Sequence, residues 1–185
     1  MDNGACSYRR FLCGDDSGIT EIVKEYKDGL ILYLNGYVKN ILIAEELAED
    51  TFFRLITKRP RFLGKSSFKS WLYSIGRHIA VDYIRRNSKL LVCAPTDNEL
   101  LFAEEQSVEL SYIKQEQKFA IHKAMKSLPT DYKSVLWLSV FEGFSNKEIC
   151  AVMKKSDRQV KNLLYRAKQA LKSTLEKEGF LYEDL

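Results

Sequence analysis

The stretch Ser145-Asn146-Lys147-Glu148-Ile149-Cys150-Ala151-Val152-Met153-Lys154-Lys155-Ser156-Asp157-Arg158-Gln159-Val160-Lys161-Asn162-Leu163-Leu164-Tyr165-Arg166-Ala167-Lys168-Gln169-Ala170-Leu171-Lys172 decides the fold class. Ser145 is followed three residues later by Glu148, and Ser156 three residues later by Gln159. Each pair has the form of a capping box, in which two side chains satisfy orphan amides at a helix start. The spacing therefore predicts two short-linked helices, a helix-turn-helix. Along the second, Val160, Leu164, Ala167, Leu171 and Leu175 recur at three- and four-residue steps and form the inward stripe. Arg158, Gln159, Lys161, Asn162, Tyr165 and Arg166 are left on the other face, with Lys168 and Gln169. Arg and Lys donate to guanine edges, Asn and Gln pair with adenine, and remaining cations and hydroxyls hold phosphates. A basic amphipathic helix standing alone is commonly a solvated face. The short capped helix before it, with Ile149 and Val152 facing inward, is the brace that turns it into a reader of a major groove. Lys154 occupies the turn position where a positive φ usually calls for glycine.

The 185 residues, 45% hydrophobic and 12% aromatic, suffice for one ordinary core or two small ones. The net charge of +4 matters less than its distribution. Lys58 to Lys89 holds nine Lys or Arg against the single acid Asp82, whereas Leu90 to Ile113 holds five acids and no Lys or Arg. Such alternation fits a protein that meets polyanion in two places. Cys6, Cys13, Cys93 and Cys150 form no CxxC pair and His78 and His122 stand alone, so neither a zinc site, a disulfide framework nor any cofactor is expected. The N-terminus carries Asp2, Asp15 and Asp16 and no long apolar run, so the expectation is a cytoplasmic protein without membrane insertion. An enzyme is not expected: no phosphate-binding glycine loop, metal-spaced cluster or nucleophile with a nearby base is visible.

Outward from the opening stretch, the expected class is all-α, two small helical domains joined by a flexible linker. Ile19, Ile22, Val23, Tyr26, Leu30, Tyr33, Leu34 and Tyr37 form one apolar stripe. A second helix is predicted from about Ala44 to Thr57, and Phe68, Leu72, Ile75, Ile79 and Tyr83 carry a third to Arg85 and Arg86 after a loop marked by Pro60 and Gly64. The first domain is placed at 15–88, an acidic linker at 89–111 and the second domain at 112–178, with helices over Ile113 to Leu128 and Tyr132 to Phe141 ahead of the helix-turn-helix. Within the first domain, Glu45, Glu46, Glu49 and Asp50 share one helical face, a mildly self-repelling arrangement that suits a basic partner. Arg59, Arg61, Lys65, Lys69, Arg77, Arg85, Arg86 and Lys89 surround Phe62, Phe68, Trp71 and Tyr73. Cations of that kind track a phosphate backbone, and aromatic faces stack on unpaired bases, although Trp71 taken alone reads equally as core.

Two stretches resemble region 2 of bacterial sigma factors: Ala44 to Phe52 (AEELAEDTF) and Phe68 to Arg86, with its W-L-x-x-I-x-R signature and trailing D-x-x-R-R. Leu128-Pro129 through Ser145 and the helix-turn-helix look like region 4, and the absence of an intermediate domain points to the extracytoplasmic-function class. The resemblance implies an alternative sigma factor that binds core RNA polymerase, reads minus-10 and minus-35 promoter elements and assists promoter melting. It implies that Glu45, Glu46, Glu49 and Asp50 grip the clamp coiled coil of the beta-prime subunit. Lys65 and Ser66 of the Gly64 to Ser67 loop, with Lys69, Trp71, Arg77, His78, Arg85 and Arg86, match the minus-10 surface. Arg158, Gln159, Lys161, Asn162, Tyr165 and Arg166 match the minus-35 reader. The acidic linker would thread through polymerase channels that carry RNA, and an anti-sigma factor is the expected regulator. The chain departs from the family's habit at His78, commonly Asn, at Glu49, frequently Gln, at Gln159, commonly Thr, and at Lys154. From the residues alone, two other classes stay open: a stand-alone helix-turn-helix regulator binding a palindromic site, and a non-catalytic helical adaptor.

Overall fold

Asp15 accepts hydrogen bonds from the Ser17 amide and hydroxyl and so opens α2 (Ser17–Val38), the longest helix among the described residues. The computed structural model describes residues 2–87, 121 and 123–177, and all regular elements among them are helices. The proposed linker over 89–111 and residues 113–120 of the helix predicted over Ile113 to Leu128 lie outside the described residues. An unanticipated helix, α1 (Asn3–Leu12), precedes α2 and lies against it, Gly18 allowing the two backbones to meet: a Cβ there would fall 2.2 Å from the Ser7 carbonyl oxygen. Asp2 starts two helices at once. One carboxylate oxygen accepts from Ala5 N of α1, and the other accepts at 2.6 Å from Phe68 N, at the head of α4 (Phe68–Asn87). Between them runs α3 (Ile41–Lys58), three residues earlier at its start than its apolar pattern suggests because Asn40 caps the amides of Leu42 and Ile43.

The first core gathers on α2, whose Ile22, Leu30 and Leu34 are fully buried against α1, α3 and α4. Each such side chain contributes roughly 1.5 to 3 kcal/mol by leaving water. On α4 the buried face is Phe68, Leu72, Tyr73, Gly76 and Ala80, whereas Ile75, Ile79 and Tyr83 of the expected stripe are only partly buried. Gly76 decides this rotation. A Cβ there would sit 3.0 Å from Leu30 and 3.4 Å from Thr51 Oγ1, so α4 turns its slimmest side to α2 and α3.

Among the described residues the second unit shows helix at residues 121 and 123–127 and continues in α5 (Thr130–Leu136). The helix predicted to Phe141 changes character at Trp137: residues Trp137–Phe141 form a π-turn, closed by Glu142 N donating to Trp137 O and ended by Gly143 at φ +67. Helices α6 (Asn146–Met153) and α7 (Asp157–Lys177) complete it, with Ile149, Val152, Val160, Ala167, Leu171 and Leu175 buried between them and α5. The two units touch. Helix α5 lies on α2, and α6 lies along α4. Tyr37 of α2 meets Ser134 of α5 through hydroxyls 2.5 Å apart, inside a buried group that includes Tyr33.

Lys133 of α5 is 8% exposed, and its ammonium donates to the Lys126 carbonyl. Burial, with lesser repulsion from Lys39 and Lys126, pushes its pKa down to about 8. The unfolded chain then binds the extra proton between about pH 8 and the ordinary lysine value, so stability rises with pH across that window and falls as pH drops through 8. Lys133→Met is expected to remove this pH dependence and to raise stability at pH 7 by roughly 1 kcal/mol, the relieved burial of charge less the lost hydrogen bond to the Lys126 carbonyl. Chemical denaturation of both proteins at pH 7 and pH 10 checks it; equal slopes with pH would contradict it.

Candidate nucleic-acid interface

Ser145 Oγ accepts from Glu148 N while Glu148 Oε2 accepts from Ser145 N at 2.9 Å, so the first capping box is formed. The second is formed too, with Ser156 N donating to Gln159 Oε1 at 2.8 Å and Gln159 N to Ser156 Oγ. Gln159 thus has one lone pair of its amide oxygen engaged in the helix start, which holds the side chain back toward Ser156, a detail its residue type does not disclose. Arg158, Gln159, Lys161, Asn162, Tyr165 and Arg166 are all exposed on α7, Tyr165 at 68%. Lys161 pairs with Asp157 one turn earlier at 2.8 Å, which holds its pKa above the ordinary lysine value. Lys154 takes the left-handed conformation, φ +52, and its N–H donates to Cys150 O. The turn is therefore of the kind glycine suits, built with a lysine.

In the first unit, Glu45, Glu46, Glu49 and Asp50 project from α3 into solvent, and none has an ion-pair partner among the described residues. Exposed apolar residues extend the same helix side: Leu42 at 62% before the carboxylates, Phe53 at 63% and Ile56 at 43% after them. Sequence reading passes over these three because an apolar residue on a helix is normally assigned inward. The available signal is spacing, since Phe53 follows Glu46 and Glu49 by seven and four positions.

The residues matched to the minus-10 surface do not form a single patch. Lys65 is exposed in the loop that turns at Gly64, φ +66, and Ser66 beside it is half-buried. On α4, Trp71, His78 and Arg85 share one face. His78 and Arg85 both lie 3.3 Å from the Asp82 carboxylate, and Arg86 next to them is exposed. Lys69 and Arg77 lie off that face: Lys69 Nζ is turned to the second unit, 2.7 Å from Glu142 Oε2, and Arg77 Nε donates to the Tyr37 hydroxyl of α2. The aromatics divide likewise. Phe68 and Tyr73 are buried and cannot stack on a base, correcting their reading as surface platforms. Trp71 is partly buried, with ring contacts to Tyr8, Phe62 and Phe68 at 5.2 to 5.5 Å. Tyr8 comes from α1 and is fixed by donating to the Pro60 carbonyl; burial raises its phenol to about 12, against the lowering charge of Arg59. This group could not be assembled from residues 15–88 alone.

Comparison with known families agrees with this two-part layout. The profile of sigma-70 region 2 matches residues 22–90, and that of sigma-70 region 4 matches residues 118–171. The chain belongs to the sigma-70 family. Its curated relatives place it in the extracytoplasmic-function class. It is 28% identical over 160 residues to RNA polymerase sigma factor YlaC of Bacillus subtilis, covering 86% of this chain and 92% of that protein. It is also 28% identical over 155 residues to the extracytoplasmic-function sigma factor SigM of the same organism, covering 84% and 93%. Among solved structures, CnrH in complex with the cytosolic domain of CnrY shares the fold at TM-score 0.68 and 18% identity, over 95% of this chain and 99% of that one. The sigma factor RpoE of Bartonella quintana, solved with the anti-sigma factor NepR, also gives 0.68 at 20% identity, over 85% and 96%. In this sigma factor, region 2 comprises α2 to α4 and region 4 contains α5 to α7, while α1 precedes the matched span. No helix among the described residues is long and apolar enough to cross a membrane.

Replacing Lys154 by glycine relieves the left-handed turn and leaves the outward face of α7 untouched. Lys154→Gly is expected to stabilise the protein by roughly 0.5 to 1 kcal/mol, the relief of the turn less the added freedom of the unfolded chain. A higher midpoint in thermal or denaturant unfolding is the expected reading; a lower one would show that the turn gains from its lysine.

Proposed function

We propose that this sigma factor holds core polymerase through the outer face of α3, reads the minus-35 element with α7, and uses the Gly64 to Ser67 loop with α4 at the minus-10 element. The observation that carries this reading is the pairing of two outward faces of opposite charge on separate units. Region 4 presents exposed Arg158, Asn162 and Arg166, while region 2 presents four carboxylates with no ion-pair partner among the described residues. A stand-alone DNA regulator has use for the first face and none for the second. On α3 the carboxylates meet a basic partner such as the beta-prime clamp coiled coil, and Leu42, Phe53 and Ile56 supply the apolar area that turns charge attraction into a lasting contact.

On α7, Arg158, Asn162 and Arg166 are exposed and can donate to base edges, each good bidentate pair being worth roughly 1 to 3 kcal/mol of discrimination. Lys161, paired with Asp157, serves phosphate. At the minus-10 element, melting is helped by capture of an unpaired base beside Trp71 and His78, offsetting an unstacking cost of a few kcal/mol. The chemistry of RNA synthesis belongs to the polymerase. An anti-sigma factor is the proposed regulator, in keeping with the partner in the RpoE complex.

Run-off transcription by core polymerase on fragments of the source genome, with and without the protein, tests the reading. New start sites sharing two spaced upstream elements are expected; direct DNA binding without new transcripts would transfer the protein to the stand-alone class. Reversal of charge at Glu45, Glu46 and Glu49 to Lys is expected to abolish core binding while helicity by circular dichroism is unchanged, and Phe53→Ala to weaken it ~tenfold. Retained binding by the charge-reversed protein would remove α3 as the polymerase contact. Arg158→Ala is expected to cost ~10-fold or more on the cognate upstream element and little on unrelated duplex. Equal losses on both would reduce Arg158 to a phosphate contact.

A further inference from the structure

Glu142 is the most enclosed carboxylate between the two regions. Its side chain is 9% exposed, with Oε2 2.7 Å from Lys69 Nζ and Oε1 accepting from Trp137 Nε1 at 3.0 Å. Lys69 also donates to the Glu142 backbone carbonyl at 3.2 Å and lies 5.3 Å from the centre of the Phe144 ring. The Tyr73 hydroxyl and Glu142 Oε1 both border Gly29, and burial followed by the Glu142 charge raises the phenol far above the ordinary range. The π-turn and Gly143 deliver Glu142 to this position. Six residues on, in the first turn of α6, Glu148 repeats the contact, accepting from Ser67 of region 2 while it closes the capping box with Ser145. Burial raises the Glu148 pKa, but hydrogen bonds from Ser67 and Ser145 and the Lys69 charge outweigh it and keep the carboxyl below its usual range.

Region 2 carries a recess for this carboxylate. Gly29 lies in the middle of α2, where glycine costs roughly 0.5 to 1 kcal/mol relative to alanine. A Cβ at Gly29 would stand 2.8 Å from Glu142 Oε1 and 2.6 Å from the Tyr73 hydroxyl, so the missing side chain leaves the room that the Glu142 and Tyr73 oxygens fill. The docked arrangement also has a consequence for promoter reach. Elements centred at minus-10 and minus-35 lie ~25 base pairs apart, about 85 Å along straight duplex at 3.4 Å per pair. Regions in direct contact cannot span that distance.

We propose that Glu142, seated on Lys69 in the Gly29 recess, is an intramolecular latch that holds the free chain in a closed, promoter-incompetent form. The carboxylate stands where an anionic group of nucleic acid would meet Lys69, and opening exposes Lys69 and frees region 4 to reach the upstream element. The promoter half of this inference rests on the sigma reading proposed above; the closure itself does not.

Two variants of the full-length protein open the latch by different means. Glu142→Gln removes the charge, and Gly29→Ala fills the recess without changing charge while favouring the helix. Glu176→Gln, on an exposed turn of α7, is the charge-matched control. Small-angle X-ray scattering of the free proteins is expected to show a larger radius of gyration for both opening variants and none for the control. The concentration giving half-maximal run-off transcription with core polymerase is expected to fall ~tenfold for the same two, because a closed majority lowers apparent affinity by the open fraction. Unchanged scattering in both variants would overturn the latch. Expansion with an unchanged half-maximal concentration would overturn its role in promoter use. Expansion with no transcription from any of the four proteins would overturn the sigma reading and leave the closure standing.

Discussion

The buried seam of α2 is the constraint on which the rest of this protein depends. Ile22, Tyr26, Leu30, Leu34 and Tyr37 recur along one helix and meet a different neighbour at each level, α1 near the start and α5 near the end. Because these side chains leave water only when α3 and α4 close over them, burial fixes the direction in which those helices turn their polar sides. The carboxylates of α3 face outward for that reason, and Gly76 sets how closely α4 approaches. Surface chemistry here follows from core geometry.

The same economy appears at the helix ends. Asp2 caps α1 and α4 together, and Glu148 closes the box that starts α6 while reaching Ser67 across the seam. Local rules explain half of each contact, since a carboxylate near a helix start satisfies amides that have no partner within the helix. The other half joins elements 66 or 81 residues apart and depends on the packed arrangement. Sharing one side chain between a local and a distant duty couples formation of a helix start to docking of its neighbour.

The interface between regions 2 and 4 is richer in polar contacts than either core, with the Tyr73 and Phe144 rings meeting beside them. Hydroxyls of Tyr33, Tyr37 and Ser134 and the Lys69–Glu142 pair dominate it. Contacts of that composition exchange readily for contacts with water, nucleic acid or another protein, because each group has an equally good partner elsewhere. Strong cores within each region and a polar seam between them suit the proposed division of promoter reading between the two regions.

Much of this was legible in the residues. The periodic stripes marked α2, α3 and α7 and the inward side of the helix-turn-helix, and the spacing of Ser145 with Glu148 and Ser156 with Gln159 marked both capping boxes, because these features arise between residues within one or two turns of each other. The acidic face of α3 and the cationic face of α7 were readable on the same ground, periodicity alone assigning them to solvent. Helix α1, the π-turn at Trp137, the burial of Phe68 and Tyr73, and the separation of Lys69 and Arg77 from Trp71 and His78 were not. Each depends on what a distant segment places alongside: Tyr8 on Trp71, Glu142 on Lys69, Leu30 on Gly76. The sequence by itself determined which faces are apolar and which charged, since a helix of known period has no other way to arrange them. Only the tertiary structure decided which of those faces meet, because close packing and the pairing of buried charge are satisfied between segments far apart in the chain.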